Sequence, residues 1–291
     1  MASLMARITG TLIEKLVQPT FQPDYPIEKQ RQRLDLLQKF APMPLGVRKI
    51  KTTLAGVPAW QLTPLAADGT KKLLYLHGGG YVSGSPQSHA DMVARIAKQT
   101  GLTASLIDYR LAPEHVFPAA VEDALSAYKE LAKDSAVIIA GDSAGGGLAL
   151  AVTQAIREAG MPMPNALVLF SPWIDLTCSG ESFSERAERE RLLTPQWVSQ
   201  MAPKYAGEIS VEHPQISPLH ADFTDFPPTL IQVGSEEILY SDSIRLKQKM
   251  AAANVPVVLS EYPEMWHVFQ LHAGYMPESK RALKEFAAFI A

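Results

Sequence analysis

Gly141-Asp142-Ser143-Ala144-Gly145 is the stretch on which the fold turns. It follows an apolar run suited to a buried strand, residues 136–140, and leads into a helix of small residues, 146–159, that opens Gly-Gly-Leu-Ala-Leu-Ala. In a G-x-S-x-G arrangement the backbone turns so sharply from strand to helix that the residues two before and two after the serine can carry almost no side chain, a demand that Gly141 and Gly145 meet. The glycine-rich start of the helix allows close packing under the sheet and leaves Ser143 at the positive end of the helix dipole, where an oxyanion is stabilised. Five residues alone fit a glycine-rich turn with an incidental serine equally well, so the rest of the chain decides.

Working outward, 291 residues that are 47% hydrophobic and 20% charged suffice for one large α/β domain with a substantial core. A formal net charge of -3 and the absence of a basic block argue against an electrostatic nucleic-acid binder and for small-molecule partners. A single cysteine, Cys178, cannot close an intrachain disulfide, which favours a reducing compartment. Residues 1–17 contain Arg7, Glu14 and Lys15 and lack the continuous apolar run of a signal peptide, and the longer apolar stretches elsewhere are broken by Asp142 or by prolines. A soluble cytoplasmic protein without stable membrane insertion is the expectation.

Leu4, Ile8, Leu12 and Leu16 lay an apolar stripe along one face of an N-terminal helix, and a second helix is expected over residues 27–40. The connection between them holds three prolines together with Phe21 and Tyr25. This segment reads either as a helical extension packed on the core or as half of a lid over a site. Strands are expected over 47–53 and 57–62, a hairpin across an Ala-Gly turn, and then over 72–76, 102–107, 136–140, 166–170, 229–233 and 255–259. Helical stretches such as 88–100, 119–133 and 241–253 separate the later ones, which implies βαβ units and a parallel sheet with ligands at the carboxyl ends of its strands.

Directly after the strand at 72–76 comes His77-Gly78-Gly79-Gly80. Consecutive glycines are entropically unfavourable, and their use is close approach of backbone N–H groups to something negative. A dinucleotide loop fails because the G-x-G-x-x-G pattern breaks at Ser83, and Asp108 at the end of the next strand does not repair it. An oxyanion hole, with N–H groups of this loop joining that of Ala144, fits better.

The chain resembles the hormone-sensitive lipase family of α/β-hydrolases, bacterial esterase branch. The resemblance covers most of the chain and rests on His77-Gly-Gly-Gly-Tyr-Val-Ser-Gly, Asp108-Tyr-Arg-Leu-Ala-Pro-Glu-His, Gly141-Asp-Ser-Ala-Gly-Gly-Gly-Leu-Ala, Ser171-Pro-Trp-Ile-Asp-Leu and His267. It implies an α/β-hydrolase fold, a mostly parallel eight-stranded sheet flanked by helices, with a helical cap from about 1–45 and about 177–213. It also implies a carboxylester hydrolase with Ser143 as nucleophile and the N–H groups of Gly79, Gly80 and Ala144 as oxyanion hole. Within the insertion Thr194-Pro195 reads as a helix start and Trp197, Met201 and Tyr205 as an apolar stripe.

Among seven histidines, His77 precedes the glycines and should orient that loop, while His89, His115, His213 and His220 read as capping or surface residues. His267 follows the last strand in a loop over the carboxyl edge of the sheet, where the family places its base; His272 is expected in the final helical region. The acid should follow the preceding strand, at Glu236-Glu237. The resemblance selects Glu237, which precedes Ile238-Leu239; most relatives carry aspartate there, and glutamate is an accepted variant. Asp242 is expected to cap or charge the start of the next helix, Asp142 to be structural, and the stretch 108–115 to support the elbow. No metal or cofactor is expected, a covered pocket favours short acyl chains, and a homodimer stays open. The same triad could cleave amides or peptides, and some proteins of similar sequence bind small hormones without catalysis after losing the triad histidine, which is present here.

Overall fold

The computed structural model describes residues 2–39 and 41–291; Met1 and Phe40, the expected last residue of the second helix, lie outside them. Among the described residues eight strands form one sheet. β1 (Val47–Leu54) and β2 (Val57–Pro64) make the expected hairpin, turned by Ala55 and Gly56 at φ 48° and 86°. β3 (Asp68–Leu76), β4 (Leu102–Ile107), β5 (Ala136–Asp142), β6 (Ala166–Phe170), β7 (Thr229–Gly234) and β8 (Val257–Tyr262) follow. The spatial order is β1-β2-β4-β3-β5-β6-β7-β8, and β2 alone runs against the rest. After β3 the chain moves to one side to place β4, then returns to the other side to place β5. That reversal opens a crevice at the carboxyl ends of β3 and β5, the usual location of a ligand in such sheets.

The helices are α1 (Leu4–Leu16), α2 (Ile27–Lys39), α3 (Pro86–Thr100), α4 (Ala119–Leu131), α5 (Ala144–Glu158), α6 (Ser182–Glu185), α7 (Pro195–Ala206), α8 (Tyr240–Ala252) and α9 (Pro277–Ile290). Strand residues alternate between two cores, as the period of two requires. Leu73, Tyr75, Ile138, Ala140, Val168 and Phe170 face α3 and α9, whereas Leu74, Leu76, Val137, Ile139, Leu167 and Leu169 face α4, α5 and α8. Among the described residues no helix is long and apolar enough to cross a membrane.

Local expectations change at several places; β3, expected over 72–76, already begins at Asp68. The last strand begins at Val257, because Val255 N–H closes α8 by donating to Met250 O and Pro256, with no N–H, contributes only its carbonyl to Thr229 N–H. α3 begins at Pro86, two residues before the expected start, since Ser85 caps it in a reciprocal capping box with Ser88. The stripe of Leu4, Ile8, Leu12 and Leu16 faces solvent, each being about half exposed or more. α1 instead turns Ala6, Thr9 and Gly10 inward. Gly10 permits this, because a Cβ there would lie 2.7 Å from Arg191 Cδ and 3.1 Å from the Trp266 ring.

The packed face of α1 can be tested directly. Leu12→Gln should change the unfolding free energy by no more than about 0.5 kcal/mol, as at other exposed positions, whereas Gly10→Leu should lower Tm by several degrees. Denaturant and thermal melts of both variants check this, and equal sensitivity at the two positions would contradict the packing.

Candidate active site

β5 ends at Asp142 and α5 begins at Ala144, so Ser143 makes the turn alone, at φ 53° and ψ -122°. That backbone conformation is strained for a residue with a Cβ and persists only where neighbours over-determine it. They do so here: Ser143 N–H donates to Phe170 O at 2.9 Å, and Ser143 O accepts from Gly146 N–H at 3.0 Å and Trp173 N–H at 2.9 Å. The flanking glycines are obligatory. A Cβ on Gly141 would stand 2.3 Å from Gly145 O, and one on Gly145 would stand 2.0 Å from Leu76 O.

The glycine loop after β3 lies beside this turn. Gly79 and Gly80 have φ 122° and 62°, and a Cβ on Gly79 would strike Ser83 O at 2.2 Å. Among the described residues none accepts a hydrogen bond from the N–H of Gly79, Gly80 or Ala144. His77 anchors the loop as expected: its Nδ1 lies 2.9 Å from Gly78 O, which makes Nδ1 the protonated nitrogen, and its ring stacks on Tyr109 at 4.3 Å. Burial pushes the His77 imidazole down to about 3, so it is neutral. Tyr109 supports the loop further by donating its hydroxyl to His77 O at 2.6 Å. That is how the stretch 108–115 contributes; the Asp108 side chain itself is exposed.

His267 and Glu237 come together in the order anticipated. His267 Nδ1 lies 2.9 Å from Glu237 Oε2, both side chains being buried, while His267 Nε2 has no partner among the described residues. Burial alone would lower the imidazole pKa, but the hydrogen bond and charge of Glu237 outweigh it, with Glu190 and Asp142 adding, so His267 titrates above its ordinary value. Glu237 Oε1 accepts from Ser171 Oγ and Gly234 N–H, both at 2.6 Å. Glu236 points elsewhere, to Arg189 at 3.4 Å and Ser235 Oγ at 2.8 Å.

Two contacts around this pair could not be read from the sequence. Ser171, at φ 47°, donates to Glu237 and accepts from Val268 N–H at 3.3 Å, bridging the loops that carry Glu237 and His267. Glu190 is a second buried carboxylate beside His267, whose N–H lies 3.4 Å from its Oε1. His89 is not a surface or capping residue: it is buried in α3, its Nε2 lying 3.3 Å from Asp142 Oδ2. Asp142, which also accepts from Tyr75 OH at 2.9 Å, is structural as expected. Burial works to raise its pKa, yet the charge and hydrogen bond of His89 hold it below the ordinary value. Asp242 makes no cap bond but stands in the first turn of α8, one of the two roles expected of it; its Oδ2 accepts from Ile174 and Asp175 N–H at 3.0 Å and pins the loop after β6. His272 lies in a short turn, Phe269–His272, ahead of α9.

Ser143, His267, Gly79 and Gly80 all border one cavity of about 520 Å³, which is also lined by Val17, Phe21 and Leu37 from the N-terminal segment and by Trp197 from α7. Thr194 caps α7 and donates its hydroxyl to Phe21 O at 2.7 Å, and Phe21 meets the Trp197 ring edge to face at 4.9 Å.

A family profile described as alpha/beta hydrolase fold matches residues 73–271. The chain is 44% identical over 242 residues to an acetyl-hydrolase of Streptomyces hygroscopicus, covering 82% of this chain and 81% of that protein. It is 33% identical over 286 residues to an esterase of Acinetobacter venetianus, covering 97% and 94%. Among solved structures it superposes on an esterase from the bacterial hormone-sensitive lipase family with a TM-score of 0.95 at 35% identity, covering 100% of this chain and 98% of the other.

The His267 ring should titrate above about 6.5, the ordinary imidazole value. In Glu237→Gln it should titrate lower, because burial then acts with less opposition, and in Glu236→Gln it should be unchanged. Ring ¹⁵N chemical shifts followed against pH measure this; a lowered value in the Glu236 variant alone would reassign the partner.

Proposed function

The chain belongs to the hormone-sensitive lipase family of α/β-hydrolases and is a serine carboxylesterase, and from that premise we propose that Ser143, His267 and Glu237 hydrolyse short-chain acyl esters through an acyl-enzyme. The observation that carries this reading is a buried imidazole bonded through Nδ1 to Glu237, its Nε2 unpartnered among the described residues, bordering the same cavity as a serine held at a strained turn.

In this mechanism Ser143 Oγ attacks the ester carbonyl carbon while His267 Nε2 takes the hydroxyl proton. The imidazolium is stabilised by Glu237, whose Oε1 stays engaged by Ser171 and Gly234. Negative charge develops on the former carbonyl oxygen and is met by the N–H groups of Gly79, Gly80 and Ala144, the last at the positive end of α5. Collapse breaks the bond to the alcohol, and His267 returns the proton to the leaving alkoxide. Water then repeats the sequence on the acyl-enzyme, giving the carboxylic acid and free Ser143.

We assign the cap to about 1–45 and about 177–213. Phe21 and Trp197, one from each piece, meet over the cavity, and a covered apolar space of about 520 Å³ supports a preference for short acyl groups.

Ser143→Ala should lower turnover of a short-chain aryl ester by a factor on the order of 10⁴ or more, with an unchanged circular dichroism spectrum. Glu237→Gln should lower kcat about 10²-fold to 10⁴-fold, and Glu236→Gln should leave it nearly intact. A peptide anilide should be cleaved far more slowly than the aryl ester; comparable rates would make the enzyme an amidase. Near-normal turnover in the serine variant would sink the assignment.

Removing residues 1–40 strips Val17, Phe21 and Leu37 from the cavity wall. The truncated protein should lose solubility and show a flattened dependence of kcat/KM on acyl-chain length. An unchanged chain-length profile would show that the segment plays no part in substrate selection.

A further inference from the structure

Glu190, in the connection between α6 and α7, is 3% exposed and takes no part in the proton transfers above. Both of its carboxylate oxygens are occupied by backbone donors. Oε1 accepts from Leu192 N–H at 2.9 Å and His267 N–H at 3.4 Å, and Oε2 accepts from Ile238 N–H at 3.3 Å. Two of these donors lie on triad loops: one is the base's own backbone, and the other immediately follows Glu237. The segment is held from the far side as well, since the Gln18 amide donates to Glu190 O at 3.2 Å and the neighbouring Leu192 borders the cavity.

Such depth strongly disfavours a charged carboxylate unless hydrogen bonds compensate it. Burial pushes Glu190 up to about 7, the charge of His267 acting in the opposite direction and that of Glu237 adding to the rise. From the other side, His267 feels Glu237, Glu190 and Asp142. The arginines of the same segment are committed elsewhere: Arg186 to Ser235 O, Arg189 to Glu236 and Arg191 to Glu14.

We propose that Glu190 is a positioning residue of the triad, a carboxylate from the segment ahead of α7 that clamps the His267 and Glu237 loops together and sets a second negative charge beside the imidazole. It ties the wall of the substrate cavity to the chemistry: displacing this segment releases an N–H on each triad loop. An amide cannot replace it, because the NH₂ of glutamine would confront either Ile238 N–H or the pair from Leu192 and His267.

The inference rests on the triad reading, and the experiment separates the two. In Glu190→Gln, KM for a short-chain aryl ester should stay within about twofold, kcat should fall roughly 10-fold to 100-fold through misplacement of the base, and the acidic limb of kcat/KM should move down by about 0.5–1 pH unit as a negative charge is removed. Glu190→Asp keeps the charge but is one methylene shorter, so kcat should fall while the acidic limb stays in place. An unchanged kcat in the glutamine variant, or a loss of kcat and Tm with no movement of the limb, would overturn the proposal. Should Glu190→Gln fail to fold, Glu190→Asp decides on its own: its loss of kcat at an unmoved acidic limb is expected, and an unchanged kcat would overturn the proposal. If Ser143→Ala or Glu237→Gln retained turnover, the triad reading itself would fail; if both are crippled and Glu190→Gln is not, only this inference falls.

Discussion

Leu76 O, at the carboxyl end of β3, leaves no room for side chains on the elbow: a Cβ on Gly145 would stand 2.0 Å from it and one on Gly141 2.8 Å. This backbone-to-backbone approach sets the geometry of everything above it. It lets α5 start directly against β3, so Ser143 and the glycine loop, which leave adjacent strands, share one crevice. It also confines Ser143 to a turn that a less crowded site would relax. The strain is sustained by ladder bonds on both sides, from β3 through β5 to Phe170 in β6.

The site contains two buried histidine–carboxylate pairs, and the contrast between them explains why one of them is suited to act as a base. His89 has both ring nitrogens engaged, Nε2 with Asp142 and Nδ1 with Ser88 Oγ at 2.8 Å. His267 has one nitrogen engaged and the other facing no protein group among the described residues. The first pair braces the floor beneath Gly78, where a Cβ would meet Asp142 Oδ2 at 2.2 Å. The second keeps one nitrogen able to accept a proton. Chemical likeness therefore does not make the pairs equivalent; what matters is the unspent hydrogen-bonding capacity of the ring.

What could be read from the sequence follows from the range of the interactions involved. The elbow, the hairpin and the strand ends are written in local patterns: glycines where a Cβ collides, continuous apolar runs where a sheet is buried on both faces, and chemistry-bearing residues just past a strand. Position just past a strand points to His267 and to the pair Glu236-Glu237, and only the family resemblance singles out Glu237. Ser171 opens a stretch that carries the resemblance, but its contact with Glu237 was not legible, nor were those of His89 and Glu190, since the decisive partners lie 66, 53 and 77 residues away. The orientation of α1 was hidden for a different reason. Its leucines announce an apolar face, but small residues and a glycine decide which side can approach Trp266, and periodicity weighs size as nothing.

Near its middle, α2 is fastened to the body by a tight group of contacts. Arg31 donates from Nε to Val82 O at 2.7 Å, from Nη2 to Ala112 O at 2.9 Å, and through both terminal nitrogens to Glu114; one turn later Asp35 accepts from Ser85 Oγ at 2.5 Å. Val82 and Ser85 follow the glycine loop directly, so the helix that brings Leu37 and Gln38 to the cavity is registered against the same short stretch of chain as Gly79 and Gly80.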